Sequence, residues 1–218
     1  MHNNIIEKPS AIIFDFDDTL VDSRPIIHKA LSATFDKFNI SEEVITVKNI
    51  DFNRSLRDYF HQIFSNNLQE AAEAYYSYYN HFSKELSILE GAEKVLNLLL
   101  QNKVFTSIVS NKKGHILREE VINKFAWQHY FKSIIGSGDT EEDKPSIKPA
   151  IKSLEDANLS SYENVWLIGD SLVDVQTANN LGCKAILFSS SSQPTDIQPN
   201  LSVSNHKELI ELLNKIYA

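Results

Sequence analysis

Short apolar runs recur along this chain and stop abruptly at polar residues. Ala11–Phe16 is such a run, ending in acid, and reads as a buried strand. Val104–Val109, Ser133–Ile135, Val165–Ile168 and Lys184–Phe188 read the same way. None alternates cleanly between apolar and polar, which suits parallel strands covered on both faces. Between them, apolar positions fall at helical spacing: Ala92, Val95, Leu96 and Leu99, then Ile147, Ile151 and Leu154, then Leu209, Leu212 and Leu213. Gly182, just after Leu181, predicts a helix C-cap. From residue 91 onward helix and strand alternate, which predicts an open α/β sheet.

One stretch breaks that rhythm. Ile27, Leu31, Thr34, Phe35 and Phe38 form one helical stripe, and Ala71, Ala74, Tyr75, Tyr78, Tyr79 and Phe82 form another. No strong strand signal interrupts them, so residues 22–88 read as an inserted helical subdomain. Tyr75, Tyr76, Tyr78 and Tyr79 crowd one segment, and helix packing explains them better than a ligand-binding aromatic box.

Composition narrows the picture. The chain has 218 residues, enough for a core domain carrying a smaller insert. Its formal net charge of −8 argues against a nucleic-acid or anionic-membrane partner. No apolar run approaches ~18 residues, so no membrane span is expected. The start of the chain carries no basic-then-apolar secretory pattern. Cys183 is the single cysteine, which rules out an intrachain disulfide and fits a reducing, cytoplasmic setting.

The chemistry concentrates where strands end. Asp15-Phe16-Asp17-Asp18-Thr19-Leu20 puts three acids in four positions directly after Ile12-Ile13-Phe14. A buried carboxylate is costly unless it is paired or bound to metal. Asp15 and Asp17 are two apart, so extended chain lets them face the same side. A polar turn capping a following helix would explain this cluster taken alone. The same ending recurs, however: Ser110-Asn111 follows Val109, and Lys144-Pro145 follows the third strand after an acidic loop. Gly169-Asp170-Ser171-Leu172-Val173-Asp174 follows the fourth. Four polar endings on one sheet edge describe an active-site rim, at the strand end where ligands bind in such sheets.

This ordered set closely resembles the haloacid dehalogenase superfamily of phosphotransferases, in its phosphoglycolate phosphatase-like branch with a helical cap. Asp15–Thr19 resembles the first motif, Ser110 the second, Lys144 the third, and Gly169-Asp170 with Asp174 the fourth. Leu89-Glu90-Gly91-Ala92 resembles the return from cap to core. The resemblance implies a Rossmann-like open parallel sheet core over residues 1–21 and 89–218, and an α-helical cap over 22–88. Two departures stand out. Asp18 occupies a position where the family usually has Gly. Lys148-Pro149 competes with Lys144-Pro145, and Lys144 is preferred because the match through Leu154 then runs without a gap.

The resemblance also implies roles. Asp15 would attack phosphorus and form an aspartyl-phosphate, with Asp17 as general acid and then base. Mg²⁺ would be held by the carboxylates of Asp15 and Asp170 and the main-chain carbonyl of Asp17, with Asp174 acting behind them or through water. Ser110 and Lys144 would bind phosphoryl oxygens, supported by Thr19 and Asn111. The cap would exclude water, and Arg54, in the position of the family's specificity loop, would meet an anionic leaving group. The expected partner is a small phosphorylated metabolite. A dehalogenase would not need Asp17. A phosphomutase would keep every motif. A non-catalytic binder on this fold would be expected to lose the acids and the lysine, all of which remain.

Overall fold

The computed structural model describes residues 7–40, 60–61, 63–64, 67–188 and 197–217. The chain divides into two compact units, Met1–Leu20 with Leu89–Ala218, and Val21–Ile88. The first is built on a six-stranded sheet in the order β5-β4-β1-β6-β7-β8, every pair parallel. The strands are β1 (Ala11–Phe14), β4 (Phe105–Lys113), β5 (Ser133–Ser137), β6 (Val165–Gly169), β7 (Lys184–Phe188) and β8 (Leu201–Val203). This is the α/β, Rossmann-like sheet that the alternating pattern predicts. Edge strand β8 spans three residues, too few for periodicity to reveal.

β1 is fully buried, as an unbroken apolar strand between two neighbours should be. It ends at Phe14, so Asp15 and Phe16 lie just past the paired region. β4 runs past Val109 with a register shift between Val109 and Lys113. That irregularity falls on Ser110, Asn111 and Lys112. Such bulges re-aim side chains and are frequent beside active sites.

Helices cover the sheet where apolar spacing demands it. α3 (Ala92–Gln101) buries Ala92, Val95, Leu96 and Leu99, the stripe read from sequence, and packs against α7 (His206–Tyr217). α5 (Lys148–Ser153) packs on β4 and β5, and α6 (Leu172–Leu181) on β6 and β7. Ile13, Val109, Ala150, Leu154, Leu167, Val175 and Ala178 share one core cluster. Truncating a residue such as Leu167 to Ala would cost about 2–5 kcal/mol. Ile151 departs from its predicted stripe and is exposed. α5 is only six residues long, and Ala150 and Ser153 fill its buried face instead. Gly182 ends α6 at φ 77°, the left-handed cap expected.

The second unit joins α1 (Arg24–Lys37) to α2 (Leu68–Phe82). Pro25 lies in the first turn of α1, where a missing N–H costs nothing. The buried face of α1 is Ile26, Ala30, Leu31, Thr34 and Phe35, one residue round from the expected stripe, since Ile26 replaces Ile27. α2 buries Ala71, Ala74, Tyr75 and Tyr79. Tyr75 meets Phe60 edge-on at 5.4 Å, and Phe64 lies 5.3 Å from Phe38. Tyr75 and Tyr79 are therefore packing residues, while Tyr76 and Tyr78 are half-buried. β2 (Val21–Asp22) and β3 (Ser87–Ile88) pair antiparallel at the two ends of the unit, a contact the helical pattern did not reveal. Among the described residues no helix is long and apolar enough to cross a membrane.

Candidate active site

β1 lies between β4 and β6. The chain leaves β1 for β4 on one side and later returns to β6 on the other. That switch point opens a crevice at the carboxyl ends of these strands. Asp15 follows β1, Ser110 lies in the irregular end of β4, and Asp170 follows β6. The main chain locks the first of these in place, because Asp15 N–H donates to the Ile168 carbonyl at 2.8 Å.

Lys144 ties the cluster together. It is buried, and its Nζ donates to Asp15 Oδ1 at 2.8 Å and to Asp174 Oδ1 at 2.6 Å. Lys148 is more exposed and pairs with Glu141 and Glu142 at 2.7 and 2.8 Å. Of the two competing lysines, Lys144 alone reaches the acids. Asn111 braces it: Asn111 Nδ2 donates to the Lys144 carbonyl at 3.0 Å, and Lys144 N–H donates to Asn111 Oδ1 at 2.9 Å. Ser110 is buried, and its Oγ accepts from Lys112 N–H at 3.2 Å.

Carboxylate oxygens of Asp15, Asp170 and Asp174 lie within 4.8 Å of one another. The two oxygens of Asp174 are divided: Oδ1 takes Lys144, while Oδ2 accepts from Ser171 N–H at 3.1 Å and Ser171 Oγ at 2.5 Å. That second set is a capping box opening α6, with the Ser-x-x-acid spacing visible in the sequence. Gly169 makes the approach possible. A Cβ there would lie 2.2 Å from Asp174 Cγ, so any side chain would displace the carboxylate.

Electrostatics follow from crowding three carboxylates around one ammonium. Burial pushes the Asp15 carboxyl up to about 7. Lys144 opposes that shift, while Asp174 and Asp17 add to it. Burial would depress the Lys144 ammonium, but Asp15 and Asp174 outweigh it and hold the group above the usual lysine range. Hard oxygen donors crowded in this way, with charge to neutralise, fit a small divalent cation.

Asp17 faces a second cluster. Its Oδ1 forms an ion pair with Lys112 Nζ at 2.8 Å, and the same Nζ donates a hydrogen bond to Glu120 Oε2 at 2.6 Å. Lys112 and Glu120 were not singled out from sequence. Lys112 lies two residues past Ser110, which was the one available hint. Thr19 is buried, and its Oγ1 has no hydrogen-bond partner among the described residues. Asp18 adopts φ 53°, the left-handed conformation that glycine takes freely and aspartate tolerates. Arg54 lies outside the described residues.

Comparison with known proteins gives the family. Residues 12–188 match the family model for haloacid dehalogenase-like hydrolases. A protein named only provisionally as a pyrophosphatase, PpaX of Caldanaerobacter subterraneus, is 26% identical over 94% of this chain and 95% of its own. The phosphoglycolate phosphatase of Neisseria meningitidis is 25% identical over 84% of this chain and 82% of its own. The crystal structure of a hydrolase of the same superfamily from Ehrlichia chaffeensis superposes with a TM-score of 0.67 at 30% identity, covering 97% of this chain and 99% of that one. The chain belongs to the haloacid dehalogenase-like hydrolase family.

Proposed function

We propose that this chain is a Mg²⁺-dependent phosphatase that hydrolyses a small phosphate monoester through an aspartyl-phosphate on Asp15. The observation that carries the reading is Asp15 held by buried Lys144, with Asp17 two residues on and Asp170 and Asp174 beside it. Relatives with phosphatase names support the substrate class. An Asp15 oxygen attacks phosphorus, and the bond to the ester oxygen breaks with its electron pair leaving on that oxygen. Asp17, protonated, gives its proton to the leaving oxygen. Water then attacks the phosphoryl group and gives a proton to the Asp17 carboxylate, releasing phosphate and restoring Asp15.

Lys144 and Ser110 would bind the phosphoryl oxygens, and the unpartnered Thr19 hydroxyl is suited to assist. Asn111, expected to support the phosphate, is better read as a brace for Lys144, since its carboxamide is engaged there on both sides. The carboxylates of Asp15 and Asp170 with the Asp17 carbonyl would hold Mg²⁺. Asp174, engaged with Lys144 and Ser171, would support them from behind. When bound, the ion supplies positive charge against the phosphoryl oxygens. The test is phosphate release from phenyl phosphate. Activity should require Mg²⁺, vanish in excess chelator, return on adding Mg²⁺, and be absent in Asp15→Asn. Equal activity in chelator would falsify the metal assignment, and near wild-type turnover by Asp15→Asn would remove the nucleophile.

A further inference from the structure

We infer that Lys112, clamped by Glu120, is a positioning residue for Asp17, fixing the orientation of the acid/base carboxylate. The inference rests on the reading of Asp17 as proton donor and acceptor.

Three features converge on this pair. First, the irregular end of β4 carries Lys112 into a buried position against the Phe16 ring, its Nζ 5.0 Å from the ring centroid. Phe16 in turn lies 6.4 Å from Phe125, which stacks on Trp127 at 4.9 Å. An ammonium set against an aromatic ring and out of water needs carboxylate partners, and Asp17 and Glu120 supply them.

Second, Glu120 is 4% exposed, rare for a glutamate unless it is paired. It lies in a π-helical turn, Glu119–Lys124, that continues α4 (Gly114–Arg118). The wide turn shows in Phe125 N–H donating to the Glu120 carbonyl at 3.0 Å, five residues back. Such turns are uncommon and often mark functional positions.

Third, Lys112 engages one oxygen of Asp17, Oδ1. A carboxylate pinned through one oxygen can offer the other for proton transfer without rotating freely. Holding an acid/base at a set angle is worth rate because misplacement by about 1 Å can cost on the order of 100-fold. A lysine needed only for solubility would stay in water, whereas this side chain is taken out of water between two acids.

The test compares kcat/KM for phenyl phosphate and 2,4-dinitrophenyl phosphate in the Mg²⁺-loaded enzyme. This parameter ends at the first irreversible step, so it reports the acid role alone. Asp17→Asn is the control: its loss should be large with phenol as leaving group and small with dinitrophenol, which needs little protonation. If it shows no such dependence, the reading of Asp17 fails, and this inference with it. Lys112→Met should copy the pattern, losing about 100-fold on phenyl phosphate and about 3-fold on the dinitrophenyl ester. Lys112→Arg should restore most of the loss. Lys112→Met added to Asp17→Asn should change little further. Equal losses on both esters, or full additivity with Asp17→Asn, overturn the inference while leaving the phosphatase reading intact. Should Lys112→Met fail to fold by circular dichroism, Glu120→Gln carries the same comparison. It keeps the Lys112–Asp17 contact and weakens the clamp by removing its negative charge. A smaller loss with the same leaving-group dependence supports the inference, and no such dependence overturns it.

Discussion

Two buried lysines of the sheet unit each bridge two carboxylates, with nearly matching distances. Lys144 meets Asp15 at 2.8 Å and Asp174 at 2.6 Å, and Lys112 meets Asp17 at 2.8 Å and Glu120 at 2.6 Å. Their surroundings differ. Around Lys144 there are three carboxylates for one ammonium, and Asp15 is pushed up to about 7. A further positive group, or a bound phosphoryl ligand shared by Lys144, changes that balance at once. Lys112 lies against Asp17, Glu120 and the Phe16 ring. Burial alone would lower its pKa, yet Asp17 and Glu120 outweigh burial and hold it above the ordinary lysine value. One lysine is placed to exchange charge with a ligand, and the other to keep a carboxylate still.

The largest effect expected from this contrast is at Lys144. Lys144→Ala should lower kcat/KM by about 10²–10³-fold, the usual cost of losing a group aimed at transition-state charge. The loss should be similar for phenyl and dinitrophenyl phosphate, because phosphoryl charge does not depend on the leaving group. Lys148→Ala should stay within about 2-fold, as expected for a lysine in exposed ion pairs. If the two variants exchange places, the assignment of the third-motif lysine is wrong.

A second prediction asks whether the clusters are independent. Lys144→Ala combined with Lys112→Met should lose the product of the single losses, since the two side chains hold different carboxylates. Strong non-additivity between them would merge the clusters into one network and dissolve the comparison.

Stability should separate them next. Glu120→Gln takes a negative partner from an ammonium that stays buried, so unfolding free energy should fall by about 2 kcal/mol. Urea denaturation at neutral pH measures it. No change would mean that Glu120 contributes nothing to holding Lys112.

The smallest effect at neutral pH concerns a buried histidine, His206. Burial pushes His206 down to about 4, against the pull of the Thr19 and Glu90 backbone. The folded value lies below the unfolded one, so the unfolded chain takes up the proton first as pH falls. Stability from neutral His206 is complete above about 6.5 and is lost as pH falls through about 4. His206→Gln should therefore flatten the decline in urea midpoint between those values. A decline as steep as that of wild type would show that His206 does not drive it.

Much of this protein was readable one residue at a time. The five apolar runs, the stripe Ala92–Leu99 and the Gly182 cap rest on local spacing, and each yields its element, although β1 stops at Phe14 and β4 runs on to Lys113. The acids after β1 and β6 stood out because charge at the end of an apolar strand needs a reason. Elements of two or three residues, such as β2, β3 and β8, escaped because so short a run has no measurable period.

What local pattern could not settle was the partner of each charge. Lys112 and Lys113 are adjacent, as are Glu119 and Glu120, and nothing in their order distinguishes buried from exposed. The irregular register of β4 and the wide turn after α4 select one from each pair and bring them together. Asp174 shows the same division. Its spacing from Ser171 announces a helix cap, but its hold on Lys144, 30 residues earlier in the chain, exists only because the fold brings the segment after β5 to the end of β6. Sequence by itself determined which groups are charged and which strand ends carry them. Tertiary structure decided which charges are taken out of water together, because burial leaves a carboxylate no alternative to the cation beside it.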